Sequence, residues 1–280
     1  MQNQDSEIVI LIKKFDAPAL STFLAQNSHL PGKMANLKLA GNVQNLFYEI
    51  SQAESFRNLF QLLAKLAKDD HEYVRMVAAR AYGAIGKDHW KEVVPPIQAL
   101  AGDDSWRVRE GAAEGIGQLL CFHFDPVYQE LKEWVHSGKP NLQRAAEVGM
   151  ISMMSYDEPL MINKTDDILH QIESLLTVSE EYVFKNCSFA INIAGWKNPS
   201  VTLAKMGHWL KDKKIASSPT ALKIFINSLD SRFGKQNAKP ALFLLKEMKG
   251  KAETLSDAKD KNKVLSMIDR LSEKLSEHGR

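Results

Sequence analysis

Apolar residues recur in this chain with a helical period, in blocks separated by polar turns. Leu59, Leu63, Leu66 and Ala67 mark the stripe of one helix. Val93, Ile97, Leu100 and Ala101 repeat it 34 residues on, and Val127, Leu131, Trp134 and Val135 repeat it after another 34. Ile168, Ile172, Leu175 and Leu176 follow at 41. Met206, Trp209 and Leu210 return to 34. A second series keeps the same spacing: Val74, Val108, Leu142 and Val183, with Ala78, Ala112, Ala146 and Cys187 one turn further on. Small residues there let neighbouring helices approach to about 8–10 Å. A fixed period in this range marks an array of helix pairs, each packing only on its neighbours.

The ends are less regular. Residues 6–15 and 17–25 read as short helices, QNSHLPGK as a Pro-Gly loop, and 35–50 as a longer amphipathic helix. The single 41-residue interval puts seven extra residues between Ser155 and Asp166, predicting an enlarged surface loop between repeats. Beyond Trp209 the period fades, although 221–229 and 241–248 still read as helices. Val264, Ile268, Leu271 and Leu275 stripe a polar final helix, as suits a terminal cap. The fold expected is all-α: a right-handed α-solenoid of about seven helix pairs. It forms one domain over 1–280, regular over 54–211 and irregular over 1–53 and 212–280.

Hydrophobic content of 44% is enough to line a continuous core. Cys121 and Cys187, 66 residues apart, form neither a disulfide framework nor a metal spacing, so a reducing, cytoplasmic setting is expected. The first residues lack the basic start of a signal peptide, and no apolar run approaches the roughly 20 residues of a membrane span. Charge is uneven. Residues 1–196 hold 18 Lys+Arg against 25 Asp+Glu (net −7), and 197–280 hold 18 against 9 (net +9). A basic end suits an anionic partner or simply a solvated lysine surface.

Asp70/Val74/Arg75 and Asp104/Val108/Arg109, each followed by small residues and a glycine (Gly83, Gly117), resemble HEAT repeats over at least 54–211. The resemblance implies a ladder in which the Asp and Arg of successive units pair. The basic position slips by one in later units, to Arg144 and Lys185. EWVHSGKPNLQRAAEVG and EEYVFKNCSFAINIAGWKNPSVTLAKMGHWL are similar to stretches of the HEAT-like DNA alkylation-repair glycosylases. Trp134, Arg144, Lys185, Asn186 and Trp209 stand where that family's aromatic and basic residues would stand. The chain departs from the family at its aromatic-and-carboxylate cluster: Trp106 is followed by Arg107, and Asp103 and Asp104 precede it.

No H-E-x-x-H, C-x-x-C, G-x-G-x-x-G or P-loop motif occurs, so no metal and no cofactor is expected. Asp69–Asp70 and Asp103–Asp104 read as helix caps, with general acid–base work as the alternative. The candidate ligand-binding residues are Trp106, Arg107, Arg109, Arg144, Lys185 and Asn186. The basic ones sit near the starts of second helices, which in HEAT arrays line the concave side, and they either bind phosphate or hold the ladder. Trp106 stacks on a base, packs a neighbouring guanidinium or staples the preceding repeat. The reading is a binding module or scaffold that recognises a partner, protein or nucleic acid, in its concave groove. The alternative is a DNA-binding relative of the glycosylases, with enzymatic activity only in that case. Neither reading calls for a membrane.

Overall fold

Polar caps and turn residues cut the apolar series into helices close to where the spacing puts them. The computed structural model describes residues 2–30, 34–153 and 156–278, in two compact units, 1–157 and 158–280. In the first unit, α1 (Gln2–Lys13), α2 (Ala17–Gln26) and α3 (Leu37–Ser51) precede three helix pairs. These are α4 (Phe56–Leu66) with α5 (Glu72–Ile85), α6 (Trp90–Ala101) with α7 (Trp106–Phe122), and α8 (Phe124–His136) with α9 (Pro140–Ser152). Asp16 and Asn36 cap α2 and α3, their side chains accepting from the N–H of Ala19 and Leu39 at 3.1 Å. Gly138, at φ +68°, ends α8 in the left-handed region that favours glycine, and Pro140 opens α9.

The expected stripes are the core. Leu59, Leu63, Val93, Ile97, Val127 and Leu131 are fully buried, as are Val74, Val108, Ala78, Ala112 and Ala146. Each large apolar side chain so buried contributes about 1.5–3 kcal/mol. The second helices α3, α5, α7 and α9 stack side by side; α4 packs on α5, α6 on α5 and α7, and α8 on α7 and α9. The α5–α7 seam is backbone on backbone: a Cβ placed on Gly83 would lie 2.2 Å from the Gly115 carbonyl oxygen. The loop expected at QNSHLPGK instead holds one short strand, β1 (His29–Leu30), paired antiparallel with β2 (Met34–Ala35) just beyond it. Pro31, Gly32 and Lys33 lie outside the described residues, as does Ser155 of the expected insertion.

The second unit contains α10 (Glu158–Asn163), α11 (Thr165–Ile172) with a 3-10 turn at Glu173–Leu175, α12 (Glu181–Lys197) and α13 (Pro199–Trp209). It continues with α14 (Lys213–Ala216), α15 (Pro219–Leu229), α16 (Arg232–Gln236), α17 (Ala238–Glu253) and α18 (Ala258–His278). The seven-residue insertion is therefore not simply a loop. Pro159 sits in the first turn of α10, Met161 is fully buried, and Lys197 of α12 reaches Glu158 at 2.5 Å. Beyond Trp209 the pairing persists although the sequence period fades: α12, α15 and α18 contact in series, as do α11, α13 and α17. The four-residue α14 and five-residue α16 interrupt the spacing, while Phe225, Leu245 and Met248 keep the interfaces apolar. Val264, Ile268, Leu271 and Leu275 bury the inner stripe of α18. Among the described residues, no helix is long and apolar enough to cross a membrane.

Candidate recognition face

The starts of α5, α7 and α9 carry the residues singled out in the first unit, and carboxylates from neighbouring helices or from the turn before α7 meet Arg75, Arg107 and Arg144. Arg75 forks onto Asp103, Nε to Oδ2 at 2.8 Å and Nη2 to Oδ1 at 3.0 Å. Its Nη1 donates to the carbonyls of Asp69 and Asp70. Arg109 repeats the last contact one unit on, donating to the carbonyls of Asp103 and Asp104 at 2.7 and 2.9 Å. The ladder is thus present, but its acceptor is Asp103, one residue before the Asp104 that the motif aligned. Asp103 also accepts the Ser105 N–H at 2.8 Å, and Asp69 accepts that of His71 at the same distance. These two aspartates brace the turns, whereas the caps proper are Ser105 and His71. Burial alone would raise the Asp103 carboxyl. The Arg75 and Ser105 hydrogen bonds and the Arg75 and Arg109 charges outweigh it and hold the group below the usual carboxylate range.

Arg107 pairs with Glu72 at 2.5 Å, and Ser105 Oγ donates to the same carboxylate. The Ser105 bond is the larger cause, ahead of the Arg107 charge, of a Glu72 carboxyl held below its ordinary value. Arg144 pairs with Glu110, and Arg80 stands 3.8 Å from Glu114. Trp106 is 57% exposed, with the Arg107 guanidinium 5.1 Å from its ring centroid. It faces solvent rather than stapling the preceding repeat.

A polar cluster that the sequence reading missed lies further along the same helices. Gln44 of α3 donates to Gln118 at 2.7 Å and to Tyr156 Oη at 2.9 Å, and accepts from Arg80 Nε at 3.0 Å. The Tyr156 hydroxyl donates to Glu114 at 3.1 Å. Burial, and then the Glu114 charge, push that hydroxyl up to about 12. One signal for these pairs was available. Arg80 and Glu114, like Glu110 and Arg144, are opposite charges one 34-residue period apart.

Trp106, Arg107, Arg109 and Arg144 therefore share neighbouring helices of the first unit. Lys185 and Asn186 belong to α12 of the second. Lys185 pairs with Glu181 at 2.7 Å on an open surface, a contact of the kind that contributes little. Trp134 and Trp209 are buried in the core. Among the described residues, no group of three or more His, Cys, Asp or Glu is placed to hold a metal ion.

Residues 59–150 match the family model described as HEAT repeats. This stretch is a HEAT-repeat array. No curated protein matches the sequence. Among solved structures, AlkD2 from Streptococcus mutans aligns with a TM-score of 0.62 and 18% identity, over 77% of this chain and 98% of that one. Smu.31 from Streptococcus mutans UA159 aligns at 0.56 and 18%, over 80% of this chain and 97% of that one. At that identity the likeness establishes a shared all-α solenoid fold. The HEAT array supplies the helix pairs, and the ion pairs described above cross its repeat boundaries.

Proposed function

We propose that this HEAT-repeat protein is a binding scaffold that recognises a protein partner across the starts of α5, α7 and α9, with Trp106 as the exposed anchor. The observation that carries the reading is the matching of charge. Arg107 and Arg144 already meet a carboxylate from an adjacent helix, and Arg75 meets Asp103 in the turn before α7. A phosphate drawn to one of them would displace Asp103, Glu72 or Glu110 and then sit beside that carboxylate, with like charges close together. An exposed tryptophan set among arginines and acids has the make-up of a protein-binding hot spot. Replacing Trp106 with a photo-crosslinking phenylalanine analogue in the source cells tests this directly. Discrete adducts destroyed by protease and indifferent to nuclease are expected. Nuclease-sensitive adducts would overturn the proposal.

A second reading rests on the fold shared with AlkD2: DNA binding by a relative of the alkylation-repair glycosylases. Its anchors would be Arg107, Arg109, Arg144 and Lys185, helped by the exposed Lys211, Lys213 and Lys214. Fluorescence anisotropy on plain and abasic duplexes separates the two readings. The scaffold reading expects no binding at low salt. The DNA reading expects binding with a log–log salt slope of about −0.9 per phosphate neutralised, lowered by roughly two units in the Arg144/Lys185 double variant.

A further inference from the structure

The surface between α13 and α17, in the second unit, is separate from the recognition face and is built like a docking groove. Two adjoining hollows, of about 420 and 430 Å³, share Lys211 and Glu247. Residue numbers rise together along both walls, from Leu203 and Pro240 at one end to Lys211 and Thr254 at the other. The two helices therefore run in the same general direction. From Pro240 to Thr254 the α17 wall is about 21 Å long at 1.5 Å per residue, enough for a helical segment of roughly fourteen residues.

The floor is apolar and unfilled. Phe243 is 63% exposed, an unusual setting for phenylalanine, and Leu203 and Leu244 line the same hollow. Gly207 and Gly250 keep the walls low: a Cβ at Gly207 would reach only Leu244, at 3.8 Å, and one at Gly250 would meet nothing within 4 Å. Three lysines of this unit are matched, Lys223 by Asp260, Lys249 by Asp269 and Lys274 by Asp230. On the groove rim, no carboxylate among the described residues pairs with Lys211 or Lys251. Apolar floor and unmatched cations together select a ligand with large apolar side chains and carboxylates. Glu247 lines both hollows as well, so Lys211 and Lys251 leave the groove two cations against one carboxylate, a net positive charge.

We infer that the α13/α17 groove docks an acidic amphipathic helix of a protein partner, with Phe243 as the apolar contact and Lys211 and Lys251 as the charge readers.

The test uses the full chain and three fluorescein-labelled probes. The first is a fourteen-residue helix-favouring peptide with Leu or Phe at i, i+3, i+4 and i+7 and Glu at its other positions. The second is the same peptide with Lys for Glu, and the third is a fourteen-nucleotide single-stranded DNA. Anisotropy should show saturable binding of the Glu peptide alone. Phe243→Ser, and separately the Lys211→Glu/Lys251→Glu pair, should each weaken it about tenfold. Because these side chains are exposed, the variants should keep the wild-type helical circular dichroism. The charge-reversed variant should gain affinity for the Lys peptide, an outcome that a merely misfolded variant cannot give. No saturable binding of the Glu peptide would overturn the inference. Equal binding of both peptides, or tighter binding of the DNA with loss in the same variants, would also overturn it. None of these outcomes bears on the Trp106 face.

Discussion

Replacing Gly83 with alanine adds one methyl group to a place with no room for it. The new Cβ would stand 2.2 Å from the Gly115 carbonyl oxygen and 2.6 Å from its Cα. Both are backbone atoms of a neighbouring helix, so no rotamer change relieves the overlap and α5 and α7 must separate by about 1 Å to restore van der Waals distance. Overpacking of this kind destabilises by about 1–3 kcal/mol, and contact with backbone puts it at the upper end. Alanine in a helix interior recovers up to about 1 kcal/mol over glycine, leaving a net loss near 2 kcal/mol. Gly41, inside α3, is the matched control because its Cβ would meet nothing within 4 Å. Gly41→Ala should therefore stabilise by up to about 1 kcal/mol. Urea unfolding followed by circular dichroism reads both, with m-values checked for constancy. A Gly83→Ala protein as stable as the wild type would refute the close seam.

Ala113 is fully buried at the repeat position that matches Ala79, so Ala113→Leu should destabilise by about 1–3 kcal/mol; an unchanged unfolding midpoint would count against the repeat alignment. The Asp103 carboxyl is held low in the folded state, so its contribution is complete above the unfolded carboxylate value, near 3.9, and disappears as pH falls through the lower folded value. Stability measured from pH 6 to pH 2 should accordingly fall less steeply for Asp103→Asn than for wild type, and identical slopes would show that the Arg75 fork does not matter. Burial, with the Asp157 charge, pushes the Cys121 thiol up to about 12, and Cys187 is buried. Thiol reagents at pH 8 should thus label the native protein many-fold more slowly than the urea-unfolded one, and rapid native labelling would contradict the structure.

The helix pairs were legible because their apolar positions repeat: Leu59, Val93 and Val127 occupy one buried site at one spacing. The insertion was legible as extra length but not as helix, since α10 has only six residues and one fully buried anchor, Met161. Beyond Trp209 the helices at 221–229, 241–248 and the striped C-terminal stretch were legible, but the repeat spacing was not, because α14 and α16 change the interval while leaving the packing intact. Of the recognition face, the basic positions Arg107, Arg109 and Arg144 could be read directly. Their matching by Glu72 and Glu110 could not, because it depends on how far one helix is offset along the next. The cluster of Gln44, Gln118 and Tyr156 joins residues 74 and 112 positions apart, and no local pattern marks it.

Helical repeats ordinarily yield to load by small slides of one helix over another, cushioned by side chains that change rotamer. Between Gly83 and Gly115 there is no cushion. A displacement of α7 would therefore bear directly on the α5 backbone, and the two repeats would be expected to move together. A partner pulling on Trp106, at the start of α7, would load Glu72 and Arg75 on α5 at the same moment. The hold at one tryptophan would thereby be shared across two repeats, and mechanical stiffness, rather than contact area, would set how firmly that end of the face resists being bent.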